Sequence, residues 1–113
     1  MGEVHYRVEW TEEAEGDAQH IVGHFASRIN AERFITKFER QAASLTTYPT
    51  RGRIVPELER IGVVKFREVY LGPWRMQYEI RGHNVFIAAI FDGRRDLADV
   101  LFFAVRSPLS AAS

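Results

Sequence analysis

Residues 67–80 have the sequence Arg67-Glu68-Val69-Tyr70-Leu71-Gly72-Pro73-Trp74-Arg75-Met76-Gln77-Tyr78-Glu79-Ile80. Apolar and polar residues alternate on both sides of the Gly72-Pro73 turn, which is the pattern of two half-buried strands. A second turn at residues 82–84 leads into an almost wholly apolar run, Val85 to Phe91. The three strands form a β-meander, and the last strand is expected at the centre of the sheet because both of its faces are apolar.

A strand and two amphipathic helices precede the meander. Residues 4–10 alternate and predict the first strand. Thr11 is the predicted N-cap of a first helix that ends near Ile29, and Asn30 is the predicted N-cap of the second helix. With almost no loop between them, the helices form an antiparallel hairpin whose apolar stripes cover one sheet face. The fold class is therefore α+β, in the order strand, helix, helix, strand, strand, strand, with a mainly antiparallel sheet.

The remaining segments are a long connection and a C-terminal region. Tyr48-Pro49 ends the second helix and opens a connection that continues to Gly62, a length typical of functional or partner-bound loops. Asp96 is the predicted cap of a short helix over residues 97–103, which is too apolar to stay uncovered in water. We expect one domain over residues 1–106 and a flexible tail over residues 107–113.

Composition narrows the function classes. The chain has 113 residues and no cysteine, which excludes disulfides and thiolate chemistry. It has neither an export-signal pattern at its start nor an apolar run of bilayer length, so a cytoplasmic protein without membrane contact is expected. His20 and His24 have a spacing that metal sites use, but a solvated helix face explains them, and no metal or other cofactor is predicted.

Charge is segregated along the chain although the total is zero. Residues 1–32 hold seven acidic and two basic side chains, so the first part is acidic and the remainder, which carries the meander, is correspondingly basic. Arg67, Arg75 and the Arg94-Arg95 pair are expected at strand ends or on the sheet face opposite Trp74. This pattern predicts a cationic surface for an anionic partner or an acidic protein segment. Local alternatives remain open: an Arg67–Glu68 ion pair, and stacking of Arg75 on Tyr70 or Trp74.

The ordered set Arg-Glu-Val, turn, aromatic-Arg-x-x-Tyr, turn, apolar run and Gly-Arg-Arg resembles the RelE/ParE toxin superfamily of bacterial type II toxin–antitoxin modules, also called plasmid stabilisation proteins. The resemblance extends over roughly residues 4–97. It implies a toxin that a cognate antitoxin neutralises by laying its C-terminal segment over the helices and the sheet. A homodimer in the absence of the antitoxin is a further expectation of this resemblance.

The superfamily has two branches with different activities. RelE-like members are endoribonucleases that cut messenger RNA on the ribosome, and by resemblance the candidate catalytic residues here are Arg75, Arg67 and Glu57. RNA-cleaving relatives tend to carry a Tyr or a His-Tyr pair at the end of the last strand, where this chain has Phe91-Asp92-Gly93. The sequence therefore departs from the RelE-like pattern at the position of the general acid, and arginine does not titrate usefully in its place.

ParE-like members lack such an acid or base, and they bind DNA gyrase and stall its cleaved-DNA complex. The helical hairpin and the Gly-Arg-Arg ending favour this branch, in which the chain would not be an enzyme. The expected contacts with the target or the antitoxin are Arg94, Arg95, Leu97, Leu101 and Phe102. A relative that binds a partner without being toxic remains a third alternative, because a fold does not fix an activity.

Overall fold

A computed structural model of the protein describes residues 5–93. The helices and strands follow in the order β1 (Arg7–Trp10), α1 (Glu12–Val22), α2 (Arg28–Ser44), β2 (Arg53–Ile54), α3 (Pro56–Glu59), β3 (Phe66–Leu71), β4 (Trp74–Arg81) and β5 (Asn84–Asp92). The α+β class and the predicted strand-helix-helix-strand-strand-strand layout are confirmed. The predicted helix over residues 97–103 and the predicted contacts Arg94, Arg95, Leu97, Leu101 and Phe102 lie outside the described residues.

The five strands form one sheet in the order β1-β5-β4-β3-β2. Strand β1 pairs with β5 in parallel, and the other three pairings are antiparallel. The last strand was expected at the centre of the sheet. It is an interior strand, as its apolar faces require, but the central position belongs to β4, because β2 adds an edge strand that the sequence pattern did not predict.

The boundaries of the helical hairpin differ from the prediction at the junction. Thr11 caps α1 as expected, since its side chain accepts a hydrogen bond from the amide of Ala14. The predicted end near Ile29 is wrong, because α1 ends at Val22 with Gly23 as its C-cap. The predicted N-cap at Asn30 is also wrong, since Ser27 caps α2 and its side chain accepts the amide hydrogen of Asn30. A serine three residues earlier provides the same cap chemistry, and apolar spacing alone could not separate the two.

The connection after α2 is structured. Residues Pro49–Arg51 form a short 3₁₀ helix, which is followed by the two-residue strand β2 and the one-turn helix α3. Strand β2 pairs with Arg67 and Glu68 of β3. Leu58 of helix α3 belongs to a second apolar cluster, in which it packs with the sheet residues Phe66 and Ala89. The sheet is therefore covered on one face by the hairpin and on the other by this connection.

A β-bulge in β5 lets one strand serve both apolar clusters. Gln77 pairs with Ala89 and Tyr78 with Ile87, so Ala88 is the extra residue. The bulge reverses the alternation of side chains, and Ile87 and Ile90 both pack in the core beneath the hairpin although they are three residues apart. Ala88 and Ala89 belong to the cluster on the other face. An uninterrupted apolar strand gives no sequence signal for such a bulge, because every register buries apolar side chains.

Candidate functional site: a buried charge cluster

Arg75 is the centre of the candidate site. It lies on β4, the central strand, and only 2% of its surface is exposed. Its guanidinium binds Glu57 of α3 with two parallel hydrogen bonds of 2.6 and 2.7 Å. A third bond of 2.7 Å runs from Nε to Glu68 on β3. Such bidentate pairing fixes the planar guanidinium in one orientation and satisfies most of its donors.

Glu68 connects Arg75 to the remaining members of the site. Its side chain is fully buried, and it accepts hydrogen bonds from Gln77 at 3.0 Å and from Nε of Arg53 at 2.8 Å. Two arginines therefore face two glutamates, and we refer to Arg53, Glu57, Glu68 and Arg75 as the buried charge cluster. Its formal charge is zero. The expected cationic surface around Arg75 is therefore not formed, because carboxylates from two neighbouring elements neutralise this arginine below the surface.

The electrostatics of the pair follow from these contacts. The hydrogen bonds that Arg75 donates lower the pKa of Glu57 below its ordinary value, and this effect exceeds the opposing effect of burial. Burial disfavours the charge of Arg75, but the hydrogen bonds and charges of Glu57 and Glu68 raise its pKa above the ordinary value. Glu57 is consequently a carboxylate at neutral pH, which makes it a poor proton donor.

We expect the Glu57–Arg75 pair to make stability depend on acid pH. The pKa of Glu57 is lower in the folded chain than its unfolded value of 4.5, so the pair stabilises the fold above that pH and loses its effect as pH falls through the folded pKa. Glu57→Gln should therefore lower the free energy of unfolding at pH 7, with a difference from wild type that shrinks towards pH 3. Urea denaturation at both pH values measures this.

Glu59→Gln is the matched control for this experiment, because Glu59 is exposed on the same short helix. It should follow the wild-type pH dependence. A Glu57→Gln variant whose deficit stayed constant from pH 7 to pH 3 would show that the charge of Glu57 does not stabilise the fold.

Arg67 does not join Arg75 and Glu57. It lies opposite Tyr78 on the neighbouring strand, whereas Glu68 lies opposite Gln77. Since residues paired across antiparallel strands share a face, Arg67 is on the hairpin side of the sheet and Arg75 on the other side. The Arg67 guanidinium donates to the carbonyl oxygen of Gly52 at 2.8 Å. The structure thus brings together two of the three residues predicted as catalytic, and it separates the third by the thickness of the sheet.

The local alternatives for the arginines are also decided by this geometry. The alternative of an Arg67–Glu68 ion pair is wrong, because adjacent strand residues point to opposite faces and Glu68 binds Arg53 and Arg75 instead. The alternative of Arg75 stacking on Tyr70 or Trp74 is also wrong, since the guanidinium carbon of Arg75 instead lies 5.7 Å from the ring centre of Phe91. Tyr70 instead receives Arg53, both over its ring and at its hydroxyl.

Sequence reasoning missed Arg53 and Glu68 as members of the site. Arg53 lies in the connection after α2, where the sequence shows no strand alternation, so no strand pairing could be predicted for it. Glu68 had a usable signal, because alternation puts it on the same face as Tyr70 and therefore on the face of Arg75. A buried glutamate is almost always paired with a cation, and here Glu68 is paired with Arg75 and Arg53.

A second polar anchor lies on the hairpin side of the sheet. The Tyr78 hydroxyl is buried, donates to the carbonyl of Pro49 at 2.6 Å and accepts from the amide of Gly52 at 3.0 Å. Burial raises the pKa of Tyr78, and hydrogen bonding from Gly52 opposes this only in part. The neutral phenol therefore fixes the start of the connection to the central strand.

Residues 5–93 contain neither a metal-binding cluster nor a helix that could span a membrane. No group of three or more His, Asp or Glu side chains within residues 5–93 is arranged to hold a metal ion. His20 and His24 stack edge to face with ring centres 4.7 Å apart, and Nδ1 of His24 lies 2.8 Å from the carbonyl oxygen of His20. None of the helices described between residues 5 and 93 has the length and apolar character needed to span a bilayer.

Comparison with known proteins identifies the class. A sequence model of the ParE toxin of type II toxin–antitoxin systems, parDE, matches residues 8–97. The chain therefore belongs to the ParE toxin family of type II toxin–antitoxin systems, within the RelE/ParE superfamily. No curated protein matches the chain in sequence.

Two solved structures share the fold. The chromosomal ParDE toxin–antitoxin system from P. aeruginosa matches with 21% identity and a TM-score of 0.58, over 77% of this chain and 95% of that one. The toxin–antitoxin complex RelBE2 from Mycobacterium tuberculosis matches with 23% identity and a TM-score of 0.57, over 79% and 92%. The two scores are nearly equal, so the backbone fold does not separate a ParE-like from a RelE-like activity.

Proposed function

We propose that this chain is a toxin that acts by binding, with DNA gyrase as its target, and that a cognate antitoxin neutralises it in the cytoplasm. The observation that carries the proposal is the burial of Arg75. An endoribonuclease mechanism needs this arginine at the scissile phosphate, where it would stabilise the charge of the transition state. Its guanidinium is instead occupied by Glu57 and Glu68 and is almost inaccessible to solvent.

The other candidate catalytic groups support the same conclusion. Glu57 is held as a carboxylate by Arg75, and both of its oxygens accept hydrogen bonds from that side chain. Arg67 lies on the opposite sheet face and is bound to the backbone of the connection. Phe91 packs beside Arg75 near the end of the last strand, and a phenyl ring can neither donate nor accept a proton.

Membership of the ParE family favours gyrase as the target, since binding of DNA gyrase is the activity of the ParE-like branch. In this proposal Arg94, Arg95, Leu97, Leu101 and Phe102 are contact residues for gyrase or the antitoxin. The antitoxin assignment is supported by both solved relatives, which are a toxin–antitoxin system and a toxin–antitoxin complex. The RelE-like endoribonuclease and the non-toxic binding relative become alternative outcomes of one experiment.

The test measures both activities on the same purified protein. Supercoiling by gyrase and accumulation of cleaved DNA are followed with increasing toxin, and a translated messenger RNA is incubated with ribosomes and toxin in parallel. We expect supercoiling to be inhibited and cleaved DNA to accumulate, while the messenger RNA stays intact. Adding the protein encoded beside the toxin should restore supercoiling if that protein is the antitoxin.

Each other outcome identifies a different alternative. Ribosome-dependent cleavage of the messenger RNA with normal supercoiling would overturn the proposal and assign Arg75 a catalytic role after rearrangement of its ion pairs. Normal supercoiling together with intact messenger RNA would leave a binding protein without toxicity towards either target.

A variant carrying Leu101→Asp and Phe102→Asp tests the predicted contacts. It should lose binding to the antitoxin while its circular dichroism spectrum is unchanged.

A further inference from the structure

One flank of α2 carries unpaired cationic side chains. Arg33, Lys37 and Arg40 are spaced by four and three residues, so they share one side of the helix, and all three are exposed. Arg51 extends this line beyond the end of the helix. We call these four residues the basic stripe. None of them forms an ion pair with any acidic side chain among residues 5–93, unlike Arg28 on the same helix, which pairs with Glu32.

Neutral hydrogen bonds hold the C-terminal end of the stripe in place. Arg51 donates to the hydroxyl of Ser44 at 2.9 Å and to the side-chain oxygen of Gln41. Gln41 in turn donates to the backbone carbonyl of Tyr70 at 2.8 Å, which ties α2 to the sheet. Arg51 is thus oriented by uncharged partners and keeps its full charge. A positioned cation without a counter-ion is suited to an external anion.

An apolar groove adjoins the other end of the stripe. A cavity of about 330 Å³ lies between α2 and the turn that joins β3 to β4, and Arg33 and Lys37 line its rim. Its apolar wall is made by Phe25, Phe34, Leu71 and Trp74. The rings of Phe34 and Trp74 are nearly perpendicular with centres 5.9 Å apart, so the wall is a packed aromatic surface.

We propose that the basic stripe and this groove bind an acidic peptide segment that places a large apolar side chain in the groove, against the wall that Phe34 and Trp74 form. The charge of the stripe selects acidic residues, and the cavity is large enough for a single aromatic or aliphatic side chain. Like charges one helical turn apart repel each other in the free protein, and an acidic partner would relieve this repulsion. The inference rests on the proposed function, in which this segment belongs to the antitoxin.

The experiment uses a random copolymer of glutamate and tyrosine as the probe, with polyglutamate and duplex DNA as comparisons. Binding to the full chain is measured by fluorescence anisotropy at low and at moderate salt. We expect the copolymer to bind more tightly than polyglutamate, because only the copolymer can fill the groove. Arg33→Glu combined with Lys37→Glu should weaken binding of the copolymer about tenfold or more, since two attractions become repulsions.

The matched control is Arg7→Glu combined with Arg60→Glu, which changes the net charge by the same amount at two exposed positions outside the stripe. It should bind the copolymer within about twofold of wild type at moderate salt, because distant exposed charges are screened. Circular dichroism checks that both double variants are folded. Equal weakening in the two would overturn the proposal, because binding would then follow net charge and not the stripe.

Two further results would also overturn it. Equal affinity for the copolymer and for polyglutamate would remove the groove from the site. Tighter binding of duplex DNA than of the copolymer, lost in the Arg33→Glu and Lys37→Glu variant, would assign the stripe to nucleic acid. Each of these results is compatible with inhibition of gyrase, whereas failure of the proposed function would appear in the supercoiling assay with copolymer binding intact.

Discussion

Arg75→Ala is expected to destabilise the fold by about 3–5 kcal/mol, because it removes the buried cation and leaves the buried carboxylate of Glu68 with only the half-exposed Arg53 as its counter-ion. A loss of this size is a large part of the stability of a domain of this length. The melting temperature should fall by about 10–20 °C. Urea denaturation at pH 7 and differential scanning calorimetry measure the two quantities.

The matched control is Arg53→Ala, since Arg53 also binds Glu68 but its side chain is half exposed. It should cost about 1 kcal/mol or less, as for other solvent-exposed ion pairs. A double variant, Arg75→Met with Glu68→Met, removes both buried charges and should be more stable than Arg75→Met alone. A cost below about 1 kcal/mol for Arg75→Ala would contradict a buried charge cluster.

The sequence pattern could place only part of the buried charge cluster. Alternation along the meander placed Arg75 correctly on the face opposite Trp74 and Met76, because strand period depends only on local geometry. It could not place Glu57, since α3 reaches Arg75 through a connection without periodicity. The ion pair joins residues 18 positions apart, so its geometry depends on how the connection crosses the sheet.

The helical hairpin illustrates the opposite case. Its apolar stripes predicted two helices over the sheet, and Phe34, Phe38, Ala42 and Leu45 are buried as that stripe requires. The junction between the helices was not predictable in detail, because Ser27 and Asn30 are both good N-caps and lie only three residues apart. Tertiary packing of Phe25 against Phe34 accompanies the break. Pattern therefore gave the elements and their buried faces, while long-range contacts determined the boundaries and the site.

The predicted cationic surface also depended on long-range contacts. Segregation along the chain predicted a cationic face around the meander arginines, but Arg75 is neutralised internally and Arg67 is bound to the backbone of the connection. Three cations on one flank of α2 form no ion pair with acidic side chains among residues 5–93, and they lie beside the apolar stripe that predicted the helix: Arg33, Lys37 and Arg40. Counting charges by segment predicted an anionic partner. Only the fold could show which arginines are free to meet it.

Gly52→Ala should destabilise the fold by about 3 kcal/mol, through crowding at a buried position and loss of hydrogen bonds. The cause is not the backbone conformation, because the φ of −77° and ψ of 152° suit any residue. A β-carbon at Gly52 would clash with the hydroxyl of Tyr78 and would lie 2.6 Å from the carbonyl oxygen of Glu68. Neither group can retreat easily, since Tyr78 is buried and the carbonyl belongs to strand β3.

The matched control is Gly16→Ala, because a β-carbon there meets no atom within 4 Å on the exposed side of α1. It should stabilise the chain by up to about 1 kcal/mol, the difference in helix propensity between alanine and glycine. The same substitution therefore has opposite signs at the two positions, and urea denaturation of both variants measures this. Similar effects at both positions would contradict the close approach at Gly52.

A double variant identifies the group that crowds Gly52. Tyr78→Phe removes the hydroxyl and with it the hydrogen bonds to Pro49 and Gly52, so alone it should cost about 1–3 kcal/mol. In the Gly52→Ala background the same change also relieves the nearest contact, and the double variant should be more stable than the sum of the single effects by about 1 kcal/mol. The remaining cost reflects the carbonyl of Glu68, which no side-chain substitution removes, so complete rescue would mean that the strand can move away from the connection.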